Sequence, residues 1–279
     1  MIVSWLKKRC PQPLKKLLRN PYWLIKVLRY KTVERLFPSD MVYYCPCCGL
    51  KFSRLIEGDF RNHPDNYNIK KYEHIRQDVI CPACYSLPRH RILASWCVKN
   101  LVSLKEKRIL YFSLETGMRH WFERNKILII SADLFNPADL KLDLMNIDQP
   151  DNCWDLVFCN HVLEHVKDYR KALKELKRIL VPGGKLICSF PIDKNLKTVY
   201  EDKSLIDDMS VEADRERICS FGQKDHLRVF GLDSKNLLQE AGFLVTVIDG
   251  DTMPKDICPI VGPADYDSNK LFVCEKPVV

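Results

Sequence analysis

Apolar residues along this chain recur with two different periods. The run Trp154, Leu156, Val157, Phe158 and Cys159 is nearly unbroken, as a strand buried on both faces requires. It ends at Asn160 and His161, where the spacing turns helical. Tyr169, Leu173, Leu176, Ile179 and Leu180 then share one stripe, with Lys171, Lys174, Glu175 and Lys177 off it. Pro182, Gly183 and Gly184 are expected to stop that helix, because proline cannot continue it and glycine accepts the left-handed closing conformation. Residues 185–190 read as a second buried strand. Two parallel strands joined by a helix form a crossover, and open sheets built this way bind ligands at the carboxyl ends of their strands. The polar cluster Asn160, His161, Glu164 and His165 falls at such an end.

The same reading extends along the chain. A helix is expected to begin at Arg89, followed by a strand over 108–112, a helix over 118–124, a strand over 127–131 and a short third strand over 140–144. Later come a helix over 233–241 capped by Asp233, and strands over 243–248 and 271–274. Strands alternating with helices imply an α/β fold with a mostly parallel, doubly wound sheet. The pattern divides the chain into a basic amphipathic arm (1–40), a small module with a linker helix (41–104) and a main domain (105–279). Within the main domain, residues 193–228 are too long and polar for a plain connection, and read as a lid that meets the substrate.

With 279 residues and 46% hydrophobic content, the chain can bury one large domain plus an appendage. Charge is uneven. Residues 1–40 hold ten Lys or Arg against Glu34 and Asp40, a surplus of eight that equals the formal net charge of the whole chain. The remainder is neutral, which argues against an extended nucleic-acid face on the main domain. The arm carries Trp5, Tyr22 and Trp23 among its basic residues and is broken by Pro11, Pro13 and Pro21. It reads as a peripheral contact for an anionic membrane surface or an acidic partner, or as an extension that packs on its own domain or on a neighbouring subunit. No apolar run reaches the length of a membrane span, and the first nine residues have no apolar signal core, so a cytoplasmic location is expected. Thirteen cysteines, an odd number, in a reducing compartment point to metal instead of disulfides.

Two cysteine turns carry that expectation. Cys45 and Cys48 form one Cys-x-x-Cys pair, Cys81 and Cys84 the other, with 32 residues between Cys48 and Cys81. Each turn points two thiolates at one ion, and four thiolates make a closed tetrahedral structural zinc site of the zinc-ribbon type. Iron in the same ligand set and four reduced core cysteines are the alternatives, and Cys47 is a spare thiol beside the first pair. A closed site stabilises a module and performs no chemistry.

Polar residues at the strand ends are ordered. After the first strand come Glu115, suited to a cationic group, and Gly117, which permits close backbone approach. After the second, sixteen residues beyond Gly117, Asp133 is placed to accept both hydroxyls of a ribose, with Leu134 as an apolar wall for a flat base. Asp143 and Leu144 can hold an adenine edge through one side-chain acceptor and one backbone donor. Each alone also reads as a cap or loop residue; the order of the set is what points to a nucleoside.

With the motifs Ser131-Ala132-Asp133-Leu134, Leu142-Asp143-Leu144, Phe158-Cys159-Asn160-His161-Val162-Leu163-Glu164-His165 and Leu180-Val181-Pro182-Gly183-Gly184-Lys185, the chain resembles the class I S-adenosylmethionine-dependent methyltransferases. The likeness is to bacterial-type members with an N-terminal zinc-ribbon-like segment, and extends to Cys81-Pro82-Ala83-Cys84 and Phe221-Gly222-Gln223-Lys224-Asp225-His226. It implies a Rossmann-like, seven-stranded sheet whose last strand is antiparallel, and S-adenosylmethionine as cofactor. Glu115 and Gly117 would lie by the methionine part, Asp133 on the ribose, Asp143 with Leu144 on the adenine, and Asn160 with His161 on the reactive side. Methyl transfer needs an in-line nucleophile, and a hydroxyl nucleophile gains from a base near neutral pKa. His161, His165 and His226 are the candidates for that base. The expected activity is methylation of an oxygen or nitrogen of a small-molecule acceptor, with a sugar or other cell-envelope precursor as the class the resemblance suggests. RNA methylation using the zinc module is the second reading. A non-catalytic scaffold is the third, since Leu114, Thr116 and Met118 stand where the family's first loop is glycine-rich.

Overall fold

The computed structural model describes residues 42–58, 76–257, 266–267 and 269–278. The basic arm expected over 1–40 lies outside them. The module opens with an antiparallel hairpin, β1 (Tyr43–Cys45) and β2 (Leu50–Phe52), and a second pair, β3 (Ile56–Gly58) with β4 (Arg76–Ile80). Helix α1 (Pro88–Lys99) follows with proline at its start, where the missing N–H costs no hydrogen bond, and a short α2 (Leu101–Leu104) leads to the main domain.

That domain runs β5 (Ile109–Phe112), α3 (Thr116–Asn125), β6 (Ile130–Ala132), β7 (Trp154–Asn160), α4 (Tyr169–Ile179) and β8 (Leu180–Ser189). Next come β9 (Ile192–Asp193), β10 (Tyr200–Glu201), α5 (Val211–Phe221), β11 (Arg228–Val229), α6 (Ser234–Glu240), β12 (Leu244–Asp249), β13 (Tyr266–Asp267) and β14 (Lys270–Glu275). Six strands form the central sheet in the order β12-β14-β8-β7-β5-β6. Strands β5 to β8 pair in parallel, and β14 lies antiparallel between β8 and β12. This is an α/β, Rossmann-like arrangement. Among the described residues no helix is long and apolar enough to cross a membrane.

Residues of the four inner strands alternate between two cores, as a two-residue period dictates. Ile109, Tyr111, Leu156, Phe158 and Ile187 face α1, α3 and the cysteine module; Leu110, Phe112, Val157, Cys159 and Leu186 face α4 and α6. The first core is aromatic at its centre: Tyr111 stacks on Phe158 at 5.0 Å, and Trp96 of α1 meets the same ring edge-on at 6.2 Å.

Three expectations from the sequence are corrected. Residues 140–144 form no strand, so the sheet has six strands among the described residues, not seven. The outer edge of β6 is met instead by the Asp139 carboxylate, which takes the Ser131 N–H at 2.8 Å, and by a single bridge to Leu140. The Asp143 carboxylate then accepts the Met145 N–H at 2.8 Å and turns the chain away. Second, Pro182, Gly183 and Gly184 do not stop α4. Its last residue is Ile179, Leu180 is already extended, and the three residues sit inside β8 as an irregularity between the pairs Trp154↔Leu180 and Leu156↔Lys185. Gly183 has φ +75°, and a Cβ on Gly184 would fall 2.8 Å from the Val181 carbonyl, so glycine is needed here to shape a bulge. Third, Asp233 stands at the start of α6 but makes no side-chain cap bond; its carboxylate accepts from Val199 N–H at 3.4 Å.

Residues 193–228 build a small core from Leu205, Ala213 and Phe221 together with Val229 of β11. Arg228 fastens it. Its side chain is fully buried and donates to the carbonyls of Leu163 (2.8 Å), Val166 and Lys167 (2.9 Å), and to Glu201 Oε2 (3.1 Å). A substrate role, conceivable from sequence, is thus replaced by a clamp on the turn after β7. Arg228→Ala leaves three carbonyls without their donor and removes one of the two arginines at Glu201. It is expected to lower stability by about 3 kcal/mol, read as a reduced midpoint in urea unfolding followed by circular dichroism.

Candidate functional site

The cysteine turns converge. Cys45 Sγ lies 3.7 Å from Cys84 Sγ, and Cys48 Sγ 3.8 Å from Cys81 Sγ. These separations are far beyond a disulfide bond. They match the roughly 3.8 Å edge of a tetrahedron built on zinc–sulfur bonds of about 2.3 Å. The donor set therefore fits a thiophilic cation. Arg124 of α3 donates to the Pro46 carbonyl at 2.9 Å and docks this turn on the main domain.

Three turns converge at the carboxyl ends of β5, β6 and β7. Asp133 follows β6, and its Oδ1 accepts the N–H groups of Phe135 (2.9 Å) and Asn136 (2.7 Å) and the Asn136 side-chain amide (3.2 Å). Burial opposes its charge, but these donors outweigh it and keep the carboxyl below its ordinary value. Among the described residues Oδ2 accepts only the Ser113 hydroxyl, at 2.9 Å, and so retains capacity for another donor. Ser113, Leu114, Arg119, Asp133, Asn136 and Pro137 line an open cleft of about 170 Å³. That is below the ~300 Å³ at which whole small ligands are enclosed, so the cleft accounts for one end of a ligand.

A row of alternating charges continues from there. Glu115 Oε1 meets Arg89 at 3.1 Å and His90 Nε2 at 2.5 Å, both from α1, while Oε2 is buried without a partner. His90 is buried and Arg91 fully so, the latter donating to the carbonyls of Val79, Ser86 and Ile257. At the basic start of α1, His90 and Arg91 are therefore internal, while Arg89 is half-buried. Next, His161 closes β7 in a left-handed conformation (φ 52°), its N–H bound to Ser189 O at 2.7 Å. Its Nδ1 is 3.3 Å from Glu164 Oε1, outside hydrogen-bond alignment, and its Nε2 is buried and unpartnered. Burial, with the Arg89 charge, lowers the His161 pKa. The His165 and His226 rings stand nearly perpendicular at 4.7 Å. Burial works against a charged His165, but Asp225 and Glu164 raise it to about 9, whereas burial takes His226 down to about 4.

The remaining sequence candidates are placed as follows. Gly117 lies buried in α3, where a Cβ would make ordinary contact with Ser86 at 3.5 Å. Leu134 is half-buried beside Asp133, Asp143 is half-buried within its own turn, and Leu144 is buried in the core. Asn160 is buried, accepting from Ser189 Oγ at 2.9 Å and reaching the Tyr111 hydroxyl at 3.4 Å. Sequence reasoning did not find the contacts that Arg89, His90, Ser113 and Asp225 make, because each meets its partner across at least twenty residues of chain.

Residues 107–188 match a family described as a methyltransferase domain. The demethylmenaquinone methyltransferase of Staphylococcus epidermidis is 38% identical over 76 residues, covering 25% of this chain and 32% of that protein. That of Listeria monocytogenes is 38% identical over 60 residues, covering 22% and 25%. The chain thus spans about a third or less of the length of these curated relatives. Among solved structures, the 1,6-didemethyltoxoflavin-N1-methyltransferase of Burkholderia thailandensis superposes with a TM-score of 0.45 at 11% identity, covering 68% of this chain and 80% of that one.

The Glu115 contact carries a pH signature. Burial alone would raise its carboxyl, but the charges of His90 and Arg89 overcome this and hold it well below 4.5. A depressed carboxylate stabilises the fold above its ordinary pKa and loses that contribution as pH falls through the folded value. Stability of the parent is therefore expected to fall with acidification below about pH 4.5, and Glu115→Gln to show a shallower acid slope in denaturant titrations at stepped pH.

Proposed function

We propose that this chain is an S-adenosylmethionine-dependent methyltransferase acting on an oxygen or nitrogen of a small-molecule acceptor. The observation that carries the reading is the placement of Asp133, with its open Oδ2, beside Ser113 at adjoining parallel strand ends, inside the segment 107–188 that matches the methyltransferase domain. The cofactor supplies an electrophilic methyl group on a sulfonium. Asp133 would hold its ribose, Leu134 and the Asp143-Leu144 turn its adenine, and Glu115 Oε2 with the Gly117 backbone its amino acid end. Arg89 and His90 keep Glu115 ionised for that task.

On the reactive side, Asn160 ties the ends of β5, β7 and β8 together through Tyr111 and Ser189, so that His161 is held in one position. The buried, unpartnered Nε2 of His161 is the group suited to take a proton from the acceptor. His165 and His226 lie beyond it toward residues 193–228, which would cover the acceptor. The match to the methyltransferase domain ends before that segment, so the acceptor is set by residues the family does not describe. A sugar or cell-envelope precursor is the class favoured by the resemblance in the motifs. Cys45, Cys48, Cys81 and Cys84 hold a structural zinc ion on this reading.

Two measurements test it. Calorimetric titration with S-adenosylmethionine is expected to show micromolar binding, roughly 8 kcal/mol, that Asp133→Ala abolishes. No binding by the folded parent would leave a scaffold as the surviving reading. Elemental analysis of Cys81→Ser is expected to find one zinc fewer per chain than in the parent, with a lower thermal midpoint; full retention would remove the four-cysteine assignment.

A further inference from the structure

Glu164 and His165, from the turn after β7, meet His226, which enters from the lid two residues ahead of β11. One donor atom from each of the three lies within 4.8 Å of the others. Glu164 is 1% exposed, and neither of its carboxylate oxygens has a hydrogen-bond partner among the described residues. His161 comes near Oε1 without alignment and leaves Oε2 with nothing. A buried carboxylate in this state calls for a cation.

In both imidazoles Nδ1 is taken by a protein oxygen. His165 Nδ1 faces the Asp225 carbonyl oxygen at 3.0 Å and Asp225 Oδ2 at 3.3 Å, and His226 Nδ1 faces the Phe221 carbonyl oxygen at 3.2 Å. Carbonyls only accept, so Nδ1 keeps its proton in both rings, and Nε2 is where a second proton or a metal ion binds. A backbone carbonyl or carboxylate behind each ring is the support that metal-bound histidines have. The frame is also shared. Leu227 N–H donates to Glu164 O at 2.9 Å, and Arg228 clamps the neighbouring carbonyls, so turn and lid strand hold all three ligands together.

We propose that Glu164, His165 and His226 form a second metal site, separate from the four cysteines, for a divalent transition-metal ion. Two imidazoles and one carboxylate suit zinc or its first-row neighbours and not magnesium or calcium, which take oxygen ligands. Binding displaces the second proton of His165 and gives Glu164 its counter-charge. Three protein ligands leave a coordination position open. It would take an oxygen of the acceptor, making hydroxyl-bearing acceptors the favoured class. That last assignment rests on the methyl-transfer reading; the metal site does not.

Untagged full-length protein is loaded with zinc, freed of excess by gel filtration and analysed for metal. Glu164→Gln and His226→Ala, checked for folding by circular dichroism, are expected to hold one ion fewer per chain than the parent. Metal content equal to the parent's in both folded variants overturns the proposal. Should the variants not fold, the parent loaded with cobalt decides. Proton magnetic resonance is expected to show two paramagnetically shifted, exchangeable imidazole N–H signals, one from each Nδ1, and fewer than two overturns the proposal. Neither measurement involves S-adenosylmethionine, so failure here leaves the calorimetric test of methyl transfer standing, and the reverse.

Discussion

The face of the sheet made by Ile109, Tyr111, Leu156, Phe158 and Ile187 has to be buried, and the main domain alone does not bury it. Strands paired in parallel need cover on both sides. Here α4 and α6 cover one side, while on the other α3 is joined by α1 and the cysteine turns, whose Cys45, Cys81 and Cys84 belong to the same apolar cluster as Phe158. The small module is therefore part of the core of the large one. Trp96 against Phe158 and Arg124 on the Pro46 carbonyl are the apolar and polar sides of that union.

That packing sets the character of the site. Because α1 lies against the β5 end, Arg89 and His90 arrive at Glu115, and Gly117 is buried beside Ser86. Leu114 and Met118 fit the same account, Met118 being fully buried in the shared core and Leu114 packing against it. The unusual first loop is thus matched to the module that covers it. Further along, residues 193–228 are tied down by Arg228 at the turn that carries Glu164 and His165, so this segment and the sheet are held together.

Much of this was legible in the linear pattern. The strands around 109–112 and 154–160, the helix of residues 169–179 and the two cysteine pairs follow from local periodicity and spacing, because a doubly buried strand and an amphipathic helix leave unmistakable signatures. The errors fell where a side chain or a tertiary contact replaced a backbone element. Asp139 satisfies the Ser131 amide that a further strand would have bonded, and the Pro182, Gly183 and Gly184 run bends a strand that had already begun at Leu180. Both depend on what lies across the fold from the residues concerned.

The sequence by itself determined the α/β alternation, the convergence of two thiol pairs, and the order of Glu115, Asp133, Asn160 and His161 at successive strand ends, since these follow from period, spacing and the rule that parallel crossovers present one end of the sheet. Only the tertiary structure decided which charges meet. Arg89 and Glu115 are 26 residues apart in the chain, Arg228 and Leu163 are 65 apart, and His165 finds a partner 60 residues on. No local pattern encodes such pairings, because each is selected by the desolvation cost of a charge in a place that exists only once the sheet is covered.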